Sequence, residues 1–212
     1  MTEELSLRER KKRETGRIIW TTALAMFRER GFDAVSVKEI ADAVSVSKMT
    51  VFNYFPTKED LVMHPMAEHI DEPMRVVRDR PSGVTPHAAF RAHFIAALRR
   101  FDAATGLNAK PLVRDIQQLV TKTPTLMMRM LAYNGLGERM LADQLVSEGA
   151  TAATAEIMAG QIMATRNVLI HLNRGTLDGG RAPAEVLPEA IVNAERAFDL
   201  LENGLGDLFA RP

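Results

Sequence analysis

Residues Val35–Asp60 read VSVKEIADAVSVSKMTVFNYFPTKED, and this stretch decides the fold. Ser36 stands before an apolar run with Glu39 three residues on, the capping-box spacing that opens a helix. Ile40, Ala41 and Val44 follow at helical spacing, and Val44-Ser45-Val46 interrupts them. Ser47 then N-caps a second helix that turns Val51, Phe52 and Phe55 inward. Pro56-Thr57 stops that helix, and Thr57 caps the next. Two short helices around a tight turn form a helix-turn-helix, whose second helix fits the major groove of DNA.

Toward the N-terminus, Ile19, Ala23 and Phe27 share one face of a helix expected over about 10–30, with Trp20, Leu24 and Met26 flanking. Gly31 ends that helix, which supplies the core for the two short ones. Residues 1–7 read as a disordered start. Arg8, Arg10, Lys11, Lys12, Arg13 and Arg17 are offset only by Glu9 and Glu14 and have two readings. They are a solvated first turn of the helix or, beside a helix-turn-helix, a flexible arm that neutralises phosphates.

Toward the C-terminus, His64-Pro65 is expected to break the following helix at about Met63, with a restart at Pro65, because proline inside a helix costs roughly 3 kcal/mol. Residues 78–86 read as a loop. Helices follow over about 86–104, 110–121, 124–147, 151–178 and 188–209, and Gly179-Gly180 stops the penultimate one. Strand alternation and fixed repeats are lacking. The expected class is all-α with about nine helices: an N-terminal three-helix domain over 1–56 and a larger helical domain over 57–212.

Composition narrows the partners. The chain has 212 residues, is 46% hydrophobic, and balances 27 Lys+Arg against 27 Asp+Glu. With no net charge, affinity for a polyanion must come from local clustering. The absence of cysteine excludes disulfides and thiolate metal sites. A polar N-terminus and the lack of a membrane-length apolar run lead to the expectation of a soluble cytoplasmic protein with no membrane partner. His64 and His69, or His87 and His93, are spaced wrongly for a metal pair on one helix face, so no metal, cofactor or catalytic group is expected.

The segment ALAMFRERGFDAVSVKEIADAVSVSKMTVFNYFPTKEDL resembles the TetR family of bacterial transcriptional regulators. Phe27, Gly31, Phe32, Ile40, Ala41, Val46, Ser47, Tyr54, Phe55, Lys58 and Leu61 carry the likeness at fixed offsets. The form FNYFPTKED also resembles a subgroup associated with acyl-CoA-like ligands. Beyond Leu61 the resemblance is one of plan, implying a helical region that binds a small molecule and dimerises. Three departures bear on sequence preference. Ser45 stands where glycine is common in the turn, Phe52 replaces a common tyrosine hydroxyl, and Met49 occupies a usually small position where it would press on a thymine methyl.

The DNA-contacting set expected from this is Lys11, Lys12, Arg13, Ser36, Ser47, Lys48, Met49, Thr50, Asn53, Tyr54 and Lys58. Lys48 and Met49 are aimed at base edges and Thr50 at base or backbone, while the resemblance assigns Asn53 and Tyr54 to phosphates. Lys58 meets a phosphate at a helix start. Phe90, His93, Phe94, Leu98, Met127, Leu131, Asn134, Met163, Asn167 and His171 are candidates for an apolar effector pocket with a few polar groups, the alternative being ordinary core or surface. Ala155, Ala159, Ala190, Ala194 and Ala197 permit close helix approach, either within the chain or across the two-fold axis of a homodimer that the family plan favours. The expected function is a homodimeric repressor released from a palindromic double-stranded DNA operator by a small apolar or amphipathic effector. The alternatives are an activator or effector-independent regulator, and a helical binding protein or enzyme with a vestigial helix-turn-helix. Pro65 is the expected transmission point.

Overall fold

A computed structural model describes residues 6–204. All regular structure in that range is helical: ten α-helices and one short 3-10 turn, Ala103–Thr105. No helix among the described residues is long and apolar enough to cross a membrane. The chain forms two compact units, residues 6–68 with 114–132, and residues 69–113 with 133–204. These units divide the chain differently from the expected 56/57 boundary.

The first unit starts with α1, Leu7–Arg30, whose N-terminus is closed by a reciprocal Ser6–Glu9 capping box. The basic cluster from Arg8 to Arg17 is therefore helical, the solvated-turn reading, rather than a flexible arm. Helix α2, Val37–Ala43, packs on α1 and on α3, Lys48–Tyr54, and Ile40, Ala41 and Val51 are buried, as are Ile19, Ala23 and Phe27 of α1. The fourth helix, α4 (Asp60–Ala67), follows a Thr57–Asp60 pair in which each side chain accepts from the other's backbone N–H.

Helix α4 runs through Pro65, which corrects the expected break. Pro65 is the sixth residue of α4, so the ladder loses one bond, and Leu61, Val62 and Met63 are all fully buried and hold the helix in place. The break falls instead at residues 68–71, before α5, Glu72–Arg78, which takes Pro73 in its first turn. Residues 114–132 complete the first unit, with Ile116, Val120 and Leu126 buried and Arg129 bonded to Asp60 at 2.7 Å.

The second unit is built on α6, Pro86–Arg99, α9, Ala152–Asp178, and α10, Pro183–Asn203. Between them in sequence come α7, Pro111–Lys122, and α8, Pro124–Ser147. Helix α6 ends five residues before the expected 104. Phe101 adopts a left-handed φ of 53°, and its carbonyl accepts from Asn108 Nδ2 at 2.6 Å. The last helix begins at Pro183 rather than Pro188, because Glu185 reaches back to the Ala182 N–H and proline suits the first helical position. Pro188 is then inside α10. The stretch of that helix expected over 205–209 lies outside the described residues. In the middle of α8, Gly137 brings the helix against the 68–71 turn, where a Cβ would meet the Ile70 carbonyl oxygen at 2.8 Å.

Candidate nucleic-acid interface

The turn between α2 and α3 aims the second helix. The Val46 N–H donates to the Ala41 carbonyl and the Ser45 N–H to the Asp42 carbonyl, the paired bonds of a Schellman motif. That motif needs a left-handed residue, and Ser45 supplies it with φ 56°. Ser47 then caps α3, accepting from the Thr50 N–H at 2.9 Å while its hydroxyl meets Thr50 Oγ1 at 2.8 Å. Val51 and Phe55 are buried beneath α3, which leaves Lys48, Met49 and Asn53 exposed on its outer face. Met49 is 68% exposed.

Other expected contact residues stand as follows. Ser36 caps α2, its hydroxyl accepting from the Glu39 N–H at 3.2 Å. The Glu39 carboxylate accepts from the Ser36 N–H and from Arg30, which holds its pKa down at about 2. Lys11, Lys12 and Arg13 are exposed on α1. Lys12, Arg13 and Tyr54 share an open groove of about 660 Å3 with Trp20, Phe55 and His64. Lys58 lies in the turn before α4, with its ammonium 4.4 Å from the Phe32 ring centroid and 5.8 Å from that of Phe27. Its charge thus rests on an aromatic pair of the core, a contact the sequence reading did not anticipate.

In the second unit the expected pocket does not assemble. Phe90, Phe94, Leu98 and Met163 are packed in the core, Met127 and Leu131 belong to the first unit, and Leu131, Asn167 and His171 are exposed. Asn134 is half-buried. Only His93 of the expected set borders an open groove of about 500 Å3, whose other walls include Glu72, Val76, Arg80, Val84 and Ala92. Its Nε2 lies 3.1 Å from Glu72 Oε1, and this hydrogen bond lowers the Glu72 pKa against the opposing effect of burial.

The alanine set also moves. Ala155, Ala159, Ala190 and Ala194 are fully buried within the chain and Ala197 packs against the same core, so these residues are the seams of α9 and α10 and not an intersubunit surface. The sequence reading passed over Arg166 and Arg174. Both continue the inward-facing spacing of Ala155, Ala159, Ile162, Met163, Leu169 and Asn173, and both have pKa values lowered by burial. That periodicity was the available signal.

A family model described as "Bacterial regulatory proteins, tetR family" matches residues 19–64, the span from α1 through α4 that carries the capped reading helix. The reading helices are those of the TetR family. This TetR-type segment extends into a longer likeness to the HTH-type transcriptional regulator TcmR of Streptomyces glaucescens, 31% identical over 138 residues, which is 64% of this chain and 61% of TcmR. The uncharacterized HTH-type transcriptional regulator YuxN of Bacillus subtilis is 32% identical over 80 residues, 37% of this chain and 28% of YuxN. The match thus spans less than two thirds of either relative. Among solved structures, NalD of Pseudomonas aeruginosa, described as the secondary repressor of the MexAB-OprM multidrug efflux pump, superposes with a TM-score of 0.57 at 18% identity. That superposition covers 89% of this chain and 97% of NalD, so the likeness in fold extends well beyond the reading domain.

Proposed function

We propose that this chain is a homodimeric transcriptional repressor that reads a palindromic operator with α3 and is released by a small effector bound in the second unit. The observation that carries the reading is the outer face of α3. Lys48, Met49 and Asn53 project from a helix whose inner face is locked by Val51 and Phe55 and whose entry is set by the Ser45 turn. An exposed cation, amide and thioether on one short rigid helix suit base edges and thymine methyls better than they suit solvent. Lys12, Arg13 and Tyr54 on the adjoining groove supply phosphate contacts, and Lys58 supplies another when it swings off Phe32. The repressor sense is supported by NalD, which has this fold and is itself a repressor. An effector releases the operator by binding the non-DNA conformation more tightly, since equal affinity for both conformations shifts nothing.

Division of labour within the interface is testable on the chain's own upstream DNA. Lys58→Ala is expected to weaken every sequence alike and to make the salt dependence shallower by about one unit of log–log slope. Lys48→Ala is expected to cost about 1–3 kcal/mol at one position of each half-site and to relax preference there. Equal losses for both variants on every mutated operator would falsify this assignment.

For the dimer, the exposed stripe of α9 replaces the buried alanines. Ile157, Ala164, Val168 and Leu172 recur at helical spacing on its outer face, and Val168 is 57% exposed. Apolar side chains aligned in this way on an exposed helix favour burial against a second copy.

A further inference from the structure

Gly16 lies in the interior of α1, where glycine weakens a helix relative to alanine. Its φ is outside the left-handed region, so the backbone gives no reason for glycine there. The reason is the ring of Tyr54. A Cβ at Gly16 would stand 3.1 Å from Tyr54 Cδ1 and 3.4 Å from Tyr54 Cε1. Carbon atoms settle at about 3.5–4.0 Å from one another, so α1 has room for the ring edge but not for a methyl group beside it. Tyr54 is the last residue of α3, and the opposite end of that helix is fixed by the Ser45 turn and the Ser47 cap. Its ring on Gly16 thus ties the C-terminal end of α3 directly to α1. Lys12, Gly16 and Trp20 recur every four residues along α1 and line one groove with Arg13 and Tyr54. The phenol is therefore held on the face of α1 that carries both cations.

We propose that Gly16 is a positioning residue for the operator interface: its missing side chain lets Tyr54 seat the end of α3 on α1 and hold its hydroxyl beside Lys12 and Arg13. A methyl group at this position pushes the ring away by a few tenths of an ångström. That displacement matters because donor–acceptor distances of working hydrogen bonds span only about half an ångström. Donors that converge on the DNA backbone fix the register of the reading helix, so moving one of them also moves the base contacts. Gly16 acts through Tyr54 and not by a contact of its own. The role rests on the DNA half of the proposed function and is independent of its effector half.

Gly16→Ala, Tyr54→Ala and the double variant test the role, with affinity read by fluorescence anisotropy on labelled upstream DNA and folding read by calorimetric melting. Gly16→Ala is expected to bind about tenfold more weakly, the loss of about one charge-assisted hydrogen bond. Its Tm is expected to stay level or rise, because alanine favours the helix. A glycine with only a packing role would lower Tm and affinity together. Once Tyr54→Ala has removed the ring, adding Gly16→Ala is expected to change affinity by less than about twofold. Trp20, the sole tryptophan, lines the same groove and reports the ring's displacement without DNA. Its emission is expected to change on Gly16→Ala in the wild-type background and to stay constant in the Tyr54→Ala background. The role is overturned by a Gly16→Ala chain that binds as tightly as wild type, by a loss of affinity matched by a fall in Tm, or by an undiminished loss in the Tyr54→Ala background. Wild-type binding that Gly16→Ala leaves intact removes the positioning role alone. A wild-type chain that does not bind the DNA removes the regulator reading and the role with it, and the Trp20 signal then reports packing only.

Discussion

Ser45 holds a left-handed φ of 56° in the turn that aims α3, a conformation in which any side chain crowds the following carbonyl. Magnitudes decide the effect of relieving it. The left-handed conformation costs a non-glycine residue about 1–2 kcal/mol, while glycine returns about 0.4–1 kcal/mol through its freer unfolded chain. Ser45→Gly is therefore expected to stabilise the first unit by about 0.5–1 kcal/mol, read as a higher urea midpoint with an unchanged slope. A lower midpoint would mean that the serine hydroxyl contributes more than the strain removes. The departure at Ser45 was visible in the sequence, but its sign of φ came only from the observed backbone. Lys58 shows the converse: its charge was legible, while its seat on Phe32 depends on α1 and the turn before α4 coming together.

At the scale of the element, prolines separate local from tertiary control. Pro188 is exposed, six residues into α10, where it removes the bond that an N–H would make to the Ala184 carbonyl. Being exposed, it gives up little packing when replaced. Pro188→Ala is expected to stabilise the chain by about 2 kcal/mol, the helix-interior penalty of about 3 less the entropy that proline removes from the unfolded state. A thermal scan showing no rise in Tm would mean that α10 gains nothing from continuity at this point.

The loop after α5 is clamped in a different way. Arg80 forks onto Glu148 beyond the end of α8, also donates to the Val84 carbonyl, and holds the Glu148 pKa down at about 2 from an ordinary value of 4.5. A depressed carboxylate pKa contributes stability that is present above pH 4.5 and lost as pH falls toward 2. Glu148→Gln is expected to cost on the order of 1 kcal/mol at neutral pH, since the pair is partly solvated, and to flatten the stability profile between those limits. Wild-type and variant chains melting with the same acid slope would assign the slope to other carboxylates. Charge at both positions was plain from the sequence, but 68 residues separate them and no local pattern joins them.

For the whole molecule, the prediction concerns assembly. On the proposed dimer, the exposed α9 stripe of Ile157, Ala164, Val168 and Leu172 is the face that meets the second copy, and that proposal expects Val168→Asp to sediment as a monomer in sedimentation velocity. The same change is expected to weaken operator binding, because one reading helix alone loses its half-site partner. Ala159→Val, placed in the buried seam instead, is expected to lower Tm and leave the association constant unchanged in the folded fraction. A dimer that survives Val168→Asp moves the interface elsewhere.

What the sequence determined by itself is the part governed by bonds spanning three to five residues. The capping box of α2, the Ser47 cap and the interruption at Ser45 all belong here, and with them the reading unit and the helical class. What only the tertiary structure decided is which face of each helix turns inward. Small residues on α9 and α10 suit an intersubunit seam and an internal one equally, and burial of Ala155, Ala159, Ala190 and Ala194 chose the internal one. The same choice left Arg166 and Arg174 half-buried and put Asn167 and His171 of the same helix in solvent. The physical reason is that a helix spaces its side chains by its own geometry, whereas the direction it faces is set by partners far away in the chain.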